Sequence, residues 1–202
     1  MIKGQVIGGD FSKIIVRTKS NQTIELGELL VIDQDGQKML LQAFDLLYAS
    51  QISQQNLELV AGLNLEEEQS FSILDQTLRN YSLSYLKPIL SLGKESTMCK
   101  QLPAFFSQVR ALTKEDCSFI TKPKNAIFTG NLRSGSRVLD FDIFLPGRDV
   151  FSHHVLIPAS TGKGKSNLMS TMLWDTLDKE FVGMLVLDPH DEYYGRTGLG
   201  LK

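Results

Sequence analysis

The eight residues Ala159-Ser160-Thr161-Gly162-Lys163-Gly164-Lys165-Ser166 combine two glycines, two lysines and three hydroxyl side chains in one short stretch. They fit the phosphate-binding loop pattern, with alanine in its first glycine position. An apolar run, His154-Val155-Leu156-Ile157-Pro158, precedes the loop as a strand would, and Asn167 to Leu177 follows it with helical spacing. Strand, glycine-rich turn and helix form the setting in which this motif works. Backbone N–H groups from Thr161 to Lys165 can surround a phosphate, and the start of the following helix adds partial positive charge there. Gly162 and Gly164 bring backbone close to the phosphate with no Cβ between them. Lys165 is the candidate for reaching the outer phosphates, and the Ser166 hydroxyl for ligating Mg²⁺. The candidate nucleotide-binding set is therefore Ala159, Ser160, Thr161, Gly162, Lys163, Gly164, Lys165, Ser166 and Asn167, with ATP and Mg²⁺ as the expected cofactors.

A second group of polar residues follows one helix later. Phe181 to Leu187 is nearly continuous in apolar side chains, as a parallel strand buried on both faces would be, and it runs into Asp188-Pro189-His190-Asp191-Glu192-Tyr193. Asp188 would stand at the C-terminal end of that strand, the edge at which α/β sheets place their ligands. Asp188 and Glu192 are the candidate carboxylates for the metal or water side of phosphoryl transfer, and with Lys165 they make up the candidate catalytic set. Adjacent strands lie ~5 Å apart, so the strand order decides whether Asp188 can approach the metal. His153 and His154 read as structural, His190 either as a hydrogen-bonded turn residue or as a contact to nucleotide or a neighbouring subunit, and Trp174 with Leu173 and Leu177 as a helix face packed on the sheet.

The elements that must position these residues fall into unlike parts. Before residue 120 the chain reads as β. Ile2 to Ile7 and Lys13 to Thr18 are separated by Gly8-Gly9-Asp10, a hairpin signal, and Glu28 to Ile32 and Lys38 to Phe44 by Asp33-Gln34-Asp35-Gly36, a tight-turn signal. Short, closely spaced strands of this kind predict a small barrel or sandwich. Leu57 to Leu63 and Leu65 to Leu78 suit either helix or strand, and Glu66-Glu67-Glu68 reads as a solvated face. Tyr81 to Leu92 returns to strand character, with Pro88 arguing for an edge or a bend. Residues 121–150 read as a connector with two strands, Ala126 to Leu132 and Arg137 to Phe144. It is locally basic through Lys122, Lys124, Arg133, Arg137 and Arg148, either as a solvated face or as a patch for nucleic acid. Residues 151–202 carry the phosphate loop. The fold class expected is α+β: a β-barrel domain over 1–120, the connector, and the start of a RecA-like P-loop α/β domain.

Bulk composition narrows the classes further. A chain of 202 residues with 42% hydrophobic content can bury a real core. No apolar run reaches the length of a membrane span, and the N-terminus lacks the order of a signal peptide. Cys99 and Cys117 lack metal-ligand spacing and read as free thiols of a cytoplasmic protein, with a single disulfide as the alternative. A formal net charge of −2 leaves no overall electrostatic footprint for nucleic acid, although a ring can still gather basic residues on an inner surface.

Taken together, the loop with its leading strand and Asp188-Pro189-His190-Asp191-Glu192-Tyr193 resemble the HerA-type ATPases of the HerA–FtsK superfamily. Leu26-Gly27-Glu28-Leu29-Leu30-Val31-Ile32 and Phe44-Asp45-Leu46-Leu47-Tyr48 resemble the small barrel that this family shares with rotary ATP synthase subunits. Asp191 stands where the family pattern has glycine. The resemblance implies a hexameric motor acting on double-stranded DNA, partnered in archaea by the NurA nuclease in end processing. It also implies a RecA-like strand order that sets two strands between the loop strand and that of Asp188, a separation of roughly 15 Å. Family members continue through a second acidic strand, a polar sensor and an arginine finger. The chain is thus expected to be the N-terminal portion of a DNA translocase, inactive alone. Its apolar residues Val155, Leu156, Ile157, Leu185, Val186 and Leu187 are expected to be partly exposed. Two other readings stand beside this one. One is a small P-loop kinase or GTPase; the other is a partner-docking barrel with a remnant phosphate loop.

Overall fold

The computed structural model describes residues 1–66, 79–93, 96–190 and 192–193. They divide into two compact units, Met1–Phe119 with Arg133–Arg137, and Ile120–Leu132 with Val138–Lys202.

The first unit is a closed antiparallel barrel of strands β1 (Ile2–Asp10), β2 (Lys13–Thr18), β3 (Leu29–Gln34), β4 (Gln37–Ser50), β5 (Asn80–Leu92) and β6 (Gln108–Ala111), in the order β1-β2-β5-β4-β3-β6. Closure runs through β6, which pairs with β1 at one side and β3 at the other. Such closure leaves no sheet edge to be covered. The residues predicted as strands alternate inward to form the core, Val6, Ile14, Val16, Leu30, Ile32, Leu41, Ala43 and Leu86, joined by Ile24 and by Val109 of β6, a strand the sequence did not predict. The Asp35-Gly36 turn is as the sequence predicts. Both residues have positive φ (51° and 75°) between the paired Gln34 and Gln37, the backbone that a two-residue hairpin turn requires.

The first hairpin differs from expectation. Gly8-Gly9-Asp10 is not the turn but the end of β1, and the chain reverses at Phe11-Ser12 between the paired Asp10 and Lys13. The Asp10 carboxylate accepts hydrogen bonds from the backbone N–H and hydroxyl of Ser12 and the N–H of Lys13, which fixes that turn. The glycines serve a close approach instead. At Gly9, with φ +119°, a Cβ would lie 2.2 Å from the Lys13 carbonyl oxygen.

Pro88 sits where its missing N–H does least harm. β2 pairs with β5 only over Leu83 to Leu86, and the β4–β5 ladder shifts register between Leu40 and Leu41, opposite Leu90 and Pro88. The expected bend is therefore a bulge at Ile89. Past Ala43 the β4–β5 ribbon continues to Ser50 and Asn80, and helix α1 (Gln54–Glu66) follows it. α1 covers the ambiguous Leu57 to Leu63, whereas most of Leu65 to Leu78 lies outside the described residues.

A buried carboxylate ties three strands to the short 3-10 turn Glu115–Cys117. The Asp116 side chain, fully shielded from solvent, accepts from Arg110 at 2.5 and 2.9 Å, from Lys38 at 2.7 Å, and from the Thr113 N–H and hydroxyl, both at 3.0 Å. Arg110 also reaches Asp33 on β3. The Arg110 guanidinium first, then Lys38 and Thr113, hold the Asp116 carboxyl well below the ordinary carboxylate range against the opposing effect of burial. Both cysteines are buried free thiols, and burial raises their pKa.

In the second unit the predicted connector strands form a two-stranded sheet, β7 (Ala126–Ser134) with β8 (Arg137–Pro146), and the turn between them, Arg133–Arg137, counts with the first unit. Two helices follow, α2 (Gly147–Phe151) and α3 (Lys165–Thr176). The two segments expected to begin a parallel sheet are not strands. Residues 154–160 and 182–188 carry no β-ladder. Neither segment has a ladder partner among the described residues, and a strand needs one. Their apolar side chains face solvent accordingly, with Leu156, Leu185 and Leu187 more than 80% exposed.

Candidate functional site

The candidate site lies at the start of α3. The helix begins at Lys165 because Gly164 adopts the left-handed conformation, φ 85° and ψ 14°, and its carbonyl accepts the first helical bond, from Leu168 N–H at 2.9 Å. Gly162 also has positive φ, 78°, and at neither glycine would an added Cβ meet another atom within 4 Å. Two left-handed glycines one residue apart turn the chain sharply into the helix, and the space beside them is open. One donor is already in use, since the Lys163 N–H bonds the Ser160 carbonyl at 3.2 Å. Lys165 is exposed at the first helical position, and the helix start favours negative charge there.

Helix α3 is anchored by its other end. Met172, Leu173 and Thr176 are its buried residues. Trp174 and Leu177, expected on the packed face with Leu173, are about half exposed at 49% and 48%. Asp175 accepts the Phe128 N–H of β7 at 3.0 Å and lies 3.7 Å from Lys179. This contact joins the helix to the β7–β8 sheet, and nothing in the local sequence pattern singles Asp175 out.

Both candidate carboxylates are drawn into one turn, in different roles. The Asp188 oxygens accept the N–H groups of Glu192 at 3.0 Å and Tyr193 at 2.8 Å. Asp188 thereby shapes the turn that carries Glu192. The Glu192 carboxylate in turn accepts the Ser166 hydroxyl across 26 residues of chain. The carboxylate seen on the phosphate-loop hydroxyl is thus that of Glu192. Asp191 lies outside the described residues. His153 is bound locally, its Nδ1 lying 2.7 Å from the Asp149 carbonyl, in keeping with a structural role.

The donor chemistry suits Mg²⁺. The Ser166 hydroxyl is a hard oxygen donor, the kind Mg²⁺ takes when it shares its shell with substrate phosphates and water, and the Glu192 carboxylate bonded to it adds negative charge beside it. Among the described residues no cluster of three or more His, Cys, Asp or Glu side chains forms a metal cage. The basic residues of the connector are divided between the two units. Lys122, Lys124 and Arg148 belong to the second unit, Arg133 and Arg137 to the first. Lys122 stacks over the Phe144 ring at 4.6 Å, and Arg133 donates to the Gly135 carbonyl at 3.0 Å. No described helix is long and apolar enough to cross a membrane.

Two known sequences or families are similar to parts of this chain. A stretch of 57 residues is 42% identical to an uncharacterized protein of Aquifex aeolicus (strain VF5); it covers 27% of this chain and 21% of that protein's length. Residues 127–200 match the family model described as "Helicase HerA, central domain". The match takes in the whole phosphate loop, helix α3 and the acidic turn, and over that stretch the chain is similar to a HerA-like P-loop ATPase.

Proposed function

We propose that residues 159–167 bind ATP with Mg²⁺ and that the chain is the N-terminal part of a ring-forming DNA translocase of HerA type. The observation that carries this reading is the pair of left-handed glycines, Gly162 and Gly164, leading into a helix at Lys165 within the stretch that matches the HerA central domain. Backbone N–H groups at that helix start hold the phosphates. Lys165 supplies a mobile positive charge to the outer phosphates, and Ser166 offers its oxygen to the cation. Mg²⁺, when bound, neutralises phosphate charge and aligns the phosphate oxygens. Asp188 and Glu192 form the acidic side of the site. Double-stranded DNA passing through a hexamer and a NurA-like nuclease as partner complete the proposal. The exposed Leu156, Leu185 and Leu187 are consistent with assembly, since apolar patches of this kind favour association.

Binding of a fluorescent ATP analogue tests the core of this reading, comparing the chain with its Lys165→Ala variant. We expect saturable binding by the wild type and a loss of at least tenfold in the variant, since a charge-assisted contact to phosphate is worth about 1.5–3 kcal/mol. Lys165 is exposed, so folding should be unaffected. A wild-type chain that binds no nucleotide, or a variant that binds equally well, would overturn the assignment. For the translocase, duplex DNA should stimulate ATP hydrolysis by the assembled full-length protein, and hydrolysis indifferent to DNA would count against it.

A further inference from the structure

We propose that Glu192 is the positioning residue for the metal-binding hydroxyl of Ser166, and that Asp188 sets the turn that presents it. The inference rests on the nucleotide-site reading above and adds a role that the phosphate-loop motif does not contain.

A serine hydroxyl has one hydrogen to donate and two lone pairs to offer. In this structure the Ser166 hydrogen goes to the Glu192 carboxylate. The rotor is thereby fixed, and the lone pairs are turned away from Glu192, available to a cation. Unrestrained, the same hydroxyl at the second position of a helix can rotate, and serine side chains near helix starts readily bond local backbone groups. Glu192 removes that freedom. It also leaves a carboxylate of negative charge beside the cation's place, which favours a divalent ion over none. The arrangement has the logic of outer-shell partners at metal sites, where a group bonded to the ligand, not to the metal, holds the ligand's orientation.

Glu192 is itself held. Its backbone N–H and that of Tyr193 are each bonded to a different oxygen of Asp188. Asp188 therefore acts at one remove, through the turn. This division assigns distinct work to the two acidic residues. It needs no proximity of Asp188 to the cation, and so does not depend on how the strands of a complete sheet are ordered.

The test is a titration of Mg²⁺ into the chain with a fluorescent ADP analogue, reading nucleotide affinity with and without the metal. In Glu192→Ala the Mg²⁺ concentration at half-effect should rise by about tenfold or more, the range found when outer-shell partners are removed. Affinity in EDTA should not fall, since Glu192 holds the Ser166 hydroxyl and not the phosphate. Glu192→Gln keeps an acceptor for the hydroxyl and should recover most of the metal response. Ser166→Ala, which removes the ligand itself, should cost at least as much as Glu192→Ala, and the double variant should lose no more than Ser166→Ala, because Glu192 acts only through that hydroxyl. A wild-type Mg²⁺ midpoint in Glu192→Ala, or effects of the two single variants that add in full, would overturn the inference while leaving nucleotide binding intact. If the wild-type chain binds no nucleotide at all, the underlying site reading fails and this proposal with it. Loss of EDTA-state affinity in Glu192→Ala, unrescued by Gln, would mean that Glu192 merely supports the fold of the loop, and would refute the positioning role.

Discussion

Gly9 and Gly164 both have positive φ, yet replacing each by alanine should have consequences of very different size. At Gly164 an added methyl meets nothing within 4 Å, so no steric term arises. What remains is the left-handed backbone, φ 85°, which costs an L-residue about 1–2 kcal/mol. Part of that is offset, since alanine reduces the entropy of the unfolded chain by about 0.4–1 kcal/mol. The net cost is ~1 kcal/mol, a shift of about 2–4 °C in Tm for a chain of this length. At Gly9 the methyl would lie 2.2 Å from the Lys13 carbonyl oxygen and 2.9 Å from the Ile14 Cα, both backbone atoms of the paired strand. Overpacking of about 1–3 kcal/mol adds to strain of about 1–3 kcal/mol, giving roughly 3–5 kcal/mol in the barrel. The probes separate the units. The single tryptophan, Trp174, lies on α3 and reports the second unit by fluorescence, while far-UV circular dichroism sums both units and includes the six barrel strands. Urea unfolding should show a small shift in the Trp174 signal for Gly164→Ala and a large loss in the dichroism signal for Gly9→Ala. Gly164→Ala should also weaken nucleotide binding about tenfold, since the methyl stands where the phosphate must approach. A Gly164→Ala chain as destabilised as Gly9→Ala, or one that binds nucleotide like the wild type, would refute the argument.

Other perturbations have defined outcomes. Asp116→Asn leaves Arg110 and Lys38 short of a buried partner and should cost the barrel about 3–4 kcal/mol, the lower part of the range for a broken buried pair because Arg110 keeps Asp33; an unchanged urea midpoint would refute it. Because the folded pKa of Asp116 is depressed, its contribution is fully present above the unfolded value of about 4 and is lost as pH falls through the folded value. Wild-type stability should therefore drop more steeply than that of Asp116→Asn below about pH 4, and parallel pH profiles would count against the network. Cys99 and Cys117 are buried with raised pKa, so a thiol reagent at pH 8 should react only on unfolding; rapid stoichiometric labelling of the native chain would contradict their placement. Leu185→Ser and Leu187→Ser, at 87% and 82% exposure, should change stability by no more than about 0.5 kcal/mol and should reduce self-association, both measurable by urea unfolding and sedimentation.

The barrel was legible because its information is local. Alternating apolar residues and the Asp35-Gly36 turn specify strands and reversals without knowledge of distant partners, and the antiparallel ladders follow. Gly8-Gly9 misled for a physical reason. Glycine marks both turns and close backbone approaches, and only the register of β1 on β2, with its shift between Val6 and Gly8, distinguishes them. The Asp116 network was invisible because its members, Asp33, Lys38, Arg110 and Asp116, are scattered charged residues that read as surface until closure of the barrel gathers them.

The phosphate loop and the acidic turn show where the sequence stops determining the site. The spacing of Gly162 and Gly164 is enough to read the backbone there, because left-handed positions one residue apart favour glycine and the helix starts directly after them. The strand character of 154–158 and 182–187 is a different kind of statement. A run of Val, Leu and Ile says that a segment can be a buried parallel strand, but a strand exists only with neighbours on which to ladder, and these segments have none among the described residues. The position of Asp188 was argued from such a strand, and with the ladder absent that argument had no support. Glu192 reaches Ser166 by another route, through a turn whose shape Asp188 fixes with two backbone bonds. A turn built from one aspartate and two N–H groups needs no sheet around it. The acidic side of the site is therefore organised by contacts within six residues, 188 to 193, and this local order is what allows the Ser166–Glu192 pair to form where the flanking segments carry no ladder.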